Sequence, residues 1–152
     1  MLNTLETVRK SIEVEKMGQK TINQESKLLC EEPGIQLLKA GTYNLNELSE
    51  LRGTPELKGQ ILDIPLTDKK EVLTLGYFAL QPSVDYSADF DFIEIKVVTK
   101  GKMVVRDVQG NKYVGEVGDV LIFSPKTTVI FDGESDGEAI YFKNVAANPS
   151  YL

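Results

Sequence analysis

Four carboxylates, Asp85, Asp89, Asp91 and Glu94, fall within ten residues of one another. They stand at the head of an apolar run, Ile93-Glu-Ile-Lys-Val-Val-Thr-Lys-Gly101. Carboxylates at this density can hold a hard cation through their oxygens. If one of them is buried without a cation, its pKa rises and it can serve as an acid or base. The bland alternative is a solvated loop tip, which suits Asp85, Asp89 and Asp91 better than Glu94, whose neighbours are strongly apolar. The chain contains no histidine and no tryptophan, and Cys30 is its one cysteine. A His/Cys zinc site cannot be built from one such chain, and Ser-His-Asp and Cys-His mechanisms are excluded. Acid–base chemistry must come from Asp, Glu, Lys, Tyr or Cys30. Cys30 is read as a small buried apolar residue.

The elements that would position these groups are short and β-like. From Gly59 onward, apolar runs alternate with turn signals every eight to twelve residues, the pattern of a sandwich or barrel. The expected strands are Gln60–Leu66, Glu71–Leu80, Ile93–Thr99, Lys102–Val108, Lys112–Val117, Val120–Phe123, Thr127–Phe131 and Glu138–Phe142. Pro65 marks the first of these as an edge strand. Alternation along Ile93–Thr99 puts Glu94, Lys96 and Val98 on one face and Ile93, Ile95 and Val97 on the other. Tyr77, Tyr86, Tyr113, Tyr141 and Lys102 are candidates to line a barrel interior, although such residues are more often core or rim. Ahead of Gly59, Ile35–Ala40 reads as a strand. Leu45, Leu48 and Leu51 fit either one or two helical turns or an irregular loop.

Residues 4–17 read as an amphipathic helix, with Leu5, Val8 and Ile12 at helical spacing, Asn3 and Glu6 as a capping box, and Gly18 as its stop. The domain reading is therefore a helix over 1–18, a connector over 19–58 and a barrel over 59–152, with 35–58 contributing strands. The 152-residue length suits one domain with a real core. The formal net charge of −6 disfavours nucleic acid as a partner. No apolar run approaches a membrane span, and the first residues lack the order of a secretory signal. The expected setting is cytoplasmic and reducing.

Two motif remnants give the barrel a family. Glu94-x6-Gly101 fits the second half of the first cupin motif, G-x5-H-x-H-x(3,4)-E-x6-G. Counting back, Ser87 and Asp89 occupy its histidine positions. Gly118-Asp-Val-Leu-Ile-Phe-Ser-Pro125 resembles the start of the second motif with one extra residue, and its histidine would land near Val129 or Ile130. The chain thus resembles a cupin jelly-roll β-barrel with an added N-terminal α-helix. Within cupins it is most similar to the EutQ ethanolamine-utilisation proteins. The phrases that carry this are Ile93–Lys102, Gly118–Lys126 and Tyr141-Phe-Lys-Asn-Val-Ala-Ala-Asn-Pro149. The C-terminal half matches well and the N-terminal half weakly.

The resemblance implies a place in bacterial ethanolamine catabolism, at or within a microcompartment, with a homodimer formed by sheet packing. It also implies a reported acetate kinase activity, with magnesium and ATP/ADP as cofactors and no His-ligated transition metal. In the cupin register Glu94, Ser87 and Asp89 face the cavity. The candidate catalytic residues are Glu94, Asp89 and Tyr86, and the candidate substrate-binding residues are Lys96, Ser87, Tyr77 and Lys102. Asp85, Asp89 and Glu94 are a weak magnesium set. The helical stripe of Leu5, Val8 and Ile12 would contact shell or lumen proteins. No phosphate-binding loop is present, so the kinase reading rests on resemblance. Its phosphoryl charge would have to be met by Lys96, Lys102, Arg106, Lys143 or magnesium. Two other readings stay open: a non-enzymatic binding or assembly cupin, and an isomerase or sugar-modifying cupin using Glu94 with a tyrosine.

Overall fold

The computed structural model describes residues 28–30, 33–67 and 72–152. The predicted helix over 4–17 lies outside the described residues. The described chain is mainly β. A two-residue strand β1 (Asn46–Glu47) leads into the short helix α1 (Leu48–Arg52), and eight strands follow. They are β2 (Gly59–Thr67), β3 (Leu73–Leu80), β4 (Tyr86–Phe90), β5 (Glu94–Arg106), β6 (Lys112–Glu116), β7 (Val120–Phe123), β8 (Thr127–Phe131) and β9 (Asp136–Lys143). A single 3-10 turn, Pro149–Tyr151, closes the chain. All pairings are antiparallel, in the order β1-β2-β3-β9-β5-β8-β4, with β6 and β7 also paired to β5.

β5 organises the sheet. The sequence reads as two strands here, Ile93–Thr99 and Lys102–Val108, but the chain runs through as one bent strand of 13 residues. Its first half pairs with β7 and its second half with β6, while β9 follows it on the other side through a register shift at Val98/Lys100. Gly101 makes the bend possible. It sits at φ 60, and a Cβ there would collide with the carbonyl oxygen of Asp136. A bulge with a left-handed glycine curls the sheet where a flat strand would not close.

The concave face carries the core: Ile61, Phe78, Leu80, Tyr86, Phe90, Val98, Met103, Val105, Phe123, Val129, Phe131, Ala139 and Tyr141 are buried together. Leu48 of α1 is fully buried in the same cluster, which settles the helical alternative for Leu45–Leu51. Burying one leucine stabilises by about 1.5–3 kcal/mol, enough to anchor a five-residue helix that could not stand alone. Gly53 at φ 61 then ends it in a left-handed cap.

Two local expectations differ from the structure. Ile35–Ala40 is not a strand, and Ile35 and Leu37 are exposed, because among the described residues no strand pairs with this segment. Cys30 is exposed rather than buried. Pro65 does sit where ladder demands are light. β1 covers only Ile61 and Gln60 of β2, and a register shift follows at Pro65/Thr67.

Candidate functional site

The site is built from two adjacent cross-strand rows on the concave face. One row runs Asp63 (β2), Gly76 (β3), Tyr141 (β9), Lys96 (β5). The next runs Thr74 (β3), Lys143 (β9), Glu94 (β5). Side chains directly opposite or diagonal on one face of a sheet touch, so the two rows gather two lysines, two carboxylates and a phenol. All five are buried: Asp63 is 1% exposed, Tyr141 1%, Lys96 2%, Glu94 5% and Lys143 5%. Burial of four charges is tolerable only if they pair, and they do.

Lys96 Nζ lies 3.4 Å from Glu94 Oε2. It is also 4.2 Å from the ring centroids of both Phe78 and Tyr141 and 5.8 Å from that of Phe131, a cage that favours a cation. Burial pushes its pKa below the usual lysine value, while Glu94 pulls it back up. Asp63 accepts from three donors: Lys143 Nζ at 2.5 Å, the Tyr141 hydroxyl at 2.5 Å and the backbone N–H of Asn148 at 2.7 Å. Burial, with the Asp63 carboxylate second, raises the Tyr141 pKa far above that of free tyrosine. Gly76 is the enabling gap in this row, since a Cβ there would fall inside the Tyr141 ring.

Glu94, Lys96, Tyr141 and Lys143 floor a cavity of about 660 Å³, with Asp63 behind Lys143 and Tyr141. Phe90, Phe92 and Phe131 contribute apolar walls, and the segment Val145–Pro149 passes over one side. That segment is tied down by Asn148 on Asp63 and by the Thr74 hydroxyl donating to the Val145 carbonyl at 2.7 Å. At the rim, Arg52 Nη2 donates to the hydroxyls of Tyr86 (2.6 Å) and Tyr151 (2.7 Å). Burial raises the Tyr86 pKa, although Arg52 opposes this. The charged groups lining the cavity are Arg52, Lys96 and Lys143 against Asp89 and Glu94, one net positive charge. A second cavity of about 700 Å³, near the Gly59 end of β2, has no buried charged side chain in its lining.

The predicted residues divide between these surroundings. Glu94 and Lys96 share the cavity floor, and Tyr86 stands buried in its wall. Ser87 and Asp89 reach only the rim. The inward positions of β4 are Tyr86, Ala88 and Phe90, one residue out of phase with the expected histidine positions. The Asp89 carboxylate accepts from the Thr128 hydroxyl at 2.6 Å on the exposed side. Tyr77 lies on the opposite face of β3 and stacks on Tyr43 at 3.9 Å, and Lys102 is exposed; neither lines the cavity. Asp85 pairs with Arg106 and accepts from the backbone of Gly133, away from Glu94. Among the described residues no three carboxylates, cysteines or histidines gather to hold a metal, so Asp85, Asp89 and Glu94 are not one set. A cupin metal does not fit either: the two upstream ligand positions turn outward, Val129 is apolar core, and the remaining ligand position, Glu94, faces an ammonium.

Asp63 and Lys143 carry the least signal in the sequence. Asp63 had one signal, a lone acid inside the apolar run Ile61-Leu-Asp-Ile64. Lys143 stood only as one available cation among several.

A family profile described as "Ethanolamine utilisation protein EutQ" matches residues 2–149. The chain belongs to the EutQ family. Solved structures agree on the fold. An ethanolamine utilisation protein Q from Salmonella typhimurium superposes with a TM-score of 0.62 at 14% identity, covering 80% of this chain and 94% of that one. The EutQ protein of Clostridium difficile gives 0.60 at 17% identity, covering 76% and 87%. An RmlC-like cupin from Shewanella frigidimarina gives 0.53 at 15% identity, covering 78% and 97%. No curated protein matches the sequence. At these identities the superpositions establish a cupin fold and nothing about chemistry. This EutQ-family cupin has no described helix long and apolar enough to cross a membrane.

Proposed function

We propose that this EutQ-family cupin acts in ethanolamine utilisation by holding a small anionic metabolite over Lys96, Lys143 and Arg52, and that the reaction run there is phosphoryl transfer between acetyl-phosphate and ADP. One observation carries the reading. Three cations, Arg52, Lys96 and Lys143, line the cavity, two of them as buried ammonium groups on its floor. Fixed cations in a water-poor site are what a transferring phosphoryl group requires. Of the four candidate cations, Lys96 and Lys143 line the cavity and Lys102 and Arg106 do not. Magnesium enters with the nucleotide as part of the substrate. Glu94 orients Lys96, and the acyl end of the ligand lies against Phe90 and Phe92.

The test is ATP formation from acetyl-phosphate and magnesium-ADP. Wild type should form ATP, and Glu94→Gln should lose at least tenfold. A well-folded wild type that forms no ATP overturns the kinase reading. The second reading is a cupin that binds a metabolite or assists assembly without turnover. It is favoured by the fact that each buried lysine already has a carboxylate partner within the chain. Retained binding of acetyl-phosphate without ATP formation would select it.

The same proposal places the protein in or at a bacterial microcompartment, as a homodimer. The outward face of β5 and β7 supports the dimer, with Ile95 40%, Val120 52% and Ile122 67% exposed. Deleting residues 1–17 should abolish encapsulation if the Leu5, Val8, Ile12 stripe directs it. Sedimentation of wild type against Ile95→Lys/Ile122→Lys should show a dimer reverting to monomer.

A further inference from the structure

We propose that Lys96 is the built-in replacement for the metal ion of the cupin pocket: a tethered cation that partners Glu94 and presents a fixed positive charge to an oxyanion ligand. The inference rests on the pocket reading above but not on the kinase reaction. Glu94 keeps the ligand position of the first cupin motif. Where a metal would meet its carboxylate, Lys96 Nζ stands 3.4 Å from Oε2. The two residues are on adjacent inward positions of β5, so the strand itself fixes the pair.

The surroundings are built for a cation. Phe78 and Tyr141 each present a ring 4.2 Å from Nζ, and Phe131 a third at 5.8 Å. Ring faces and one carboxylate stabilise an ammonium, and they would be poor company for a hydrated divalent ion, which demands several oxygen or nitrogen donors. The groups behind this cage are fixed as well. Tyr141 is held in place by Asp63 at 2.5 Å and by the gap at Gly76. Lys143 neutralises Asp63 at 2.5 Å, so that carboxylate does not compete with Glu94 for Lys96. Among the described residues, Glu94 is the one carboxylate within ion-pair distance of Lys96. An ammonium carries three N–H donors. Glu94 meets it from one side, and the cavity opens beside it. The ligand class that completes this arrangement is a small oxyanion, a carboxylate or a phosphate. It would bind without any metal.

The test replaces the tethered cation by a free one. Lys96→Ala removes the part of the side chain that propylammonium reproduces. Its melting temperature should fall by about 10 °C, because Glu94 is left buried and unpaired. Millimolar propylammonium should then restore it in a saturable way. It should leave wild type and the Lys96→Ala/Glu94→Leu control unchanged. In wild type, inorganic phosphate binding followed by calorimetry should be insensitive to a chelator and at least tenfold weaker in Lys96→Met/Glu94→Leu, which should keep the fold without the pair. Failure of propylammonium to rescue Lys96→Ala overturns the proposal, as does a rise in wild-type melting temperature on adding manganese or zinc. Absence of ATP formation in wild type overturns only the kinase reading and leaves this result readable.

Discussion

At the scale of single residues, the pocket depends on one acid that catches three donors. Asp63 is 1% exposed and accepts from Lys143, Tyr141 and the Asn148 backbone. Asp63→Ala leaves the Lys143 ammonium and the Asn148 amide without their acceptor and the Tyr141 phenol with only its 3.3 Å bond to the Leu62 carbonyl, and should destabilise by about 3–5 kcal/mol in urea unfolding. Asp63→Asn keeps the shape and one acceptor, so it should cost less. Equal stability of Asp63→Ala and wild type would mean that the network is not formed in solution. Such a residue was barely legible in the sequence. A lone acid in an apolar run looks like a strand edge facing water. Only the register β2-β3-β9 shows that Gly76 opens the space through which Tyr141 reaches it. Glu94 and Lys96 were legible, because strand alternation alone puts both on the face with Val98.

At the scale of elements, alternation and turn residues located most strands. Val120–Phe123 and Thr127–Phe131 begin and end where the apolar runs do. Ile35–Ala40 has the same local pattern and forms no strand, since propensity without a partner edge forms no ladder. The phase of β4 differs from the one that motif spacing predicts. Counting motif spacing back from Glu94 assigns Ser87 and Asp89 to the interior, yet β4 pairs with β8 so that Tyr86, Ala88 and Phe90 point inward. A one-residue offset exchanges the two faces of a strand, and an aromatic-rich sequence such as Tyr86-Ser-Ala-Asp-Phe90 settles it in favour of burying the rings. The β3–β9 pair supplies the matching prediction. Gly76→Ala puts a methyl group into the Tyr141 ring and should destabilise by about 3 kcal/mol. A variant melting with wild type would show that the ring is not seated over Gly76.

For the molecule as a whole, two loop carboxylates and two buried tyrosines predict the shape of the stability curve. Asp132 has its pKa lowered chiefly by the Glu134 backbone N–H, against burial and with help from Arg106. Asp107 is lowered chiefly by the Asn111 side chain. Groups held below their ordinary value of 3.8 contribute stability that is present above that value and lost as pH falls through the folded-state value. Tyr86 and Tyr141 are held above their ordinary value of 10.0 by burial. Their contribution is present below pH 10 and lost as pH rises further. Melting temperature should therefore fall below about pH 4 and, as the two tyrosines titrate, above about pH 10. Asp132→Asn should flatten the acid limb and leave the alkaline limb alone; an unchanged acid limb would contradict the assignment.

The family match relates this cupin to ethanolamine utilisation, and the chemistry is proposed to lie in the Lys96–Glu94 pair. Removing both charges together separates that claim from folding, because a buried pair replaced by apolar groups of similar volume is often neutral or stabilising. The decisive measurement is ATP formation from acetyl-phosphate and magnesium-ADP by wild type and by Lys96→Met/Glu94→Leu. The double variant should melt within a few degrees of wild type and lose activity by at least a hundredfold. A folded double variant as active as wild type would move the site elsewhere on the molecule.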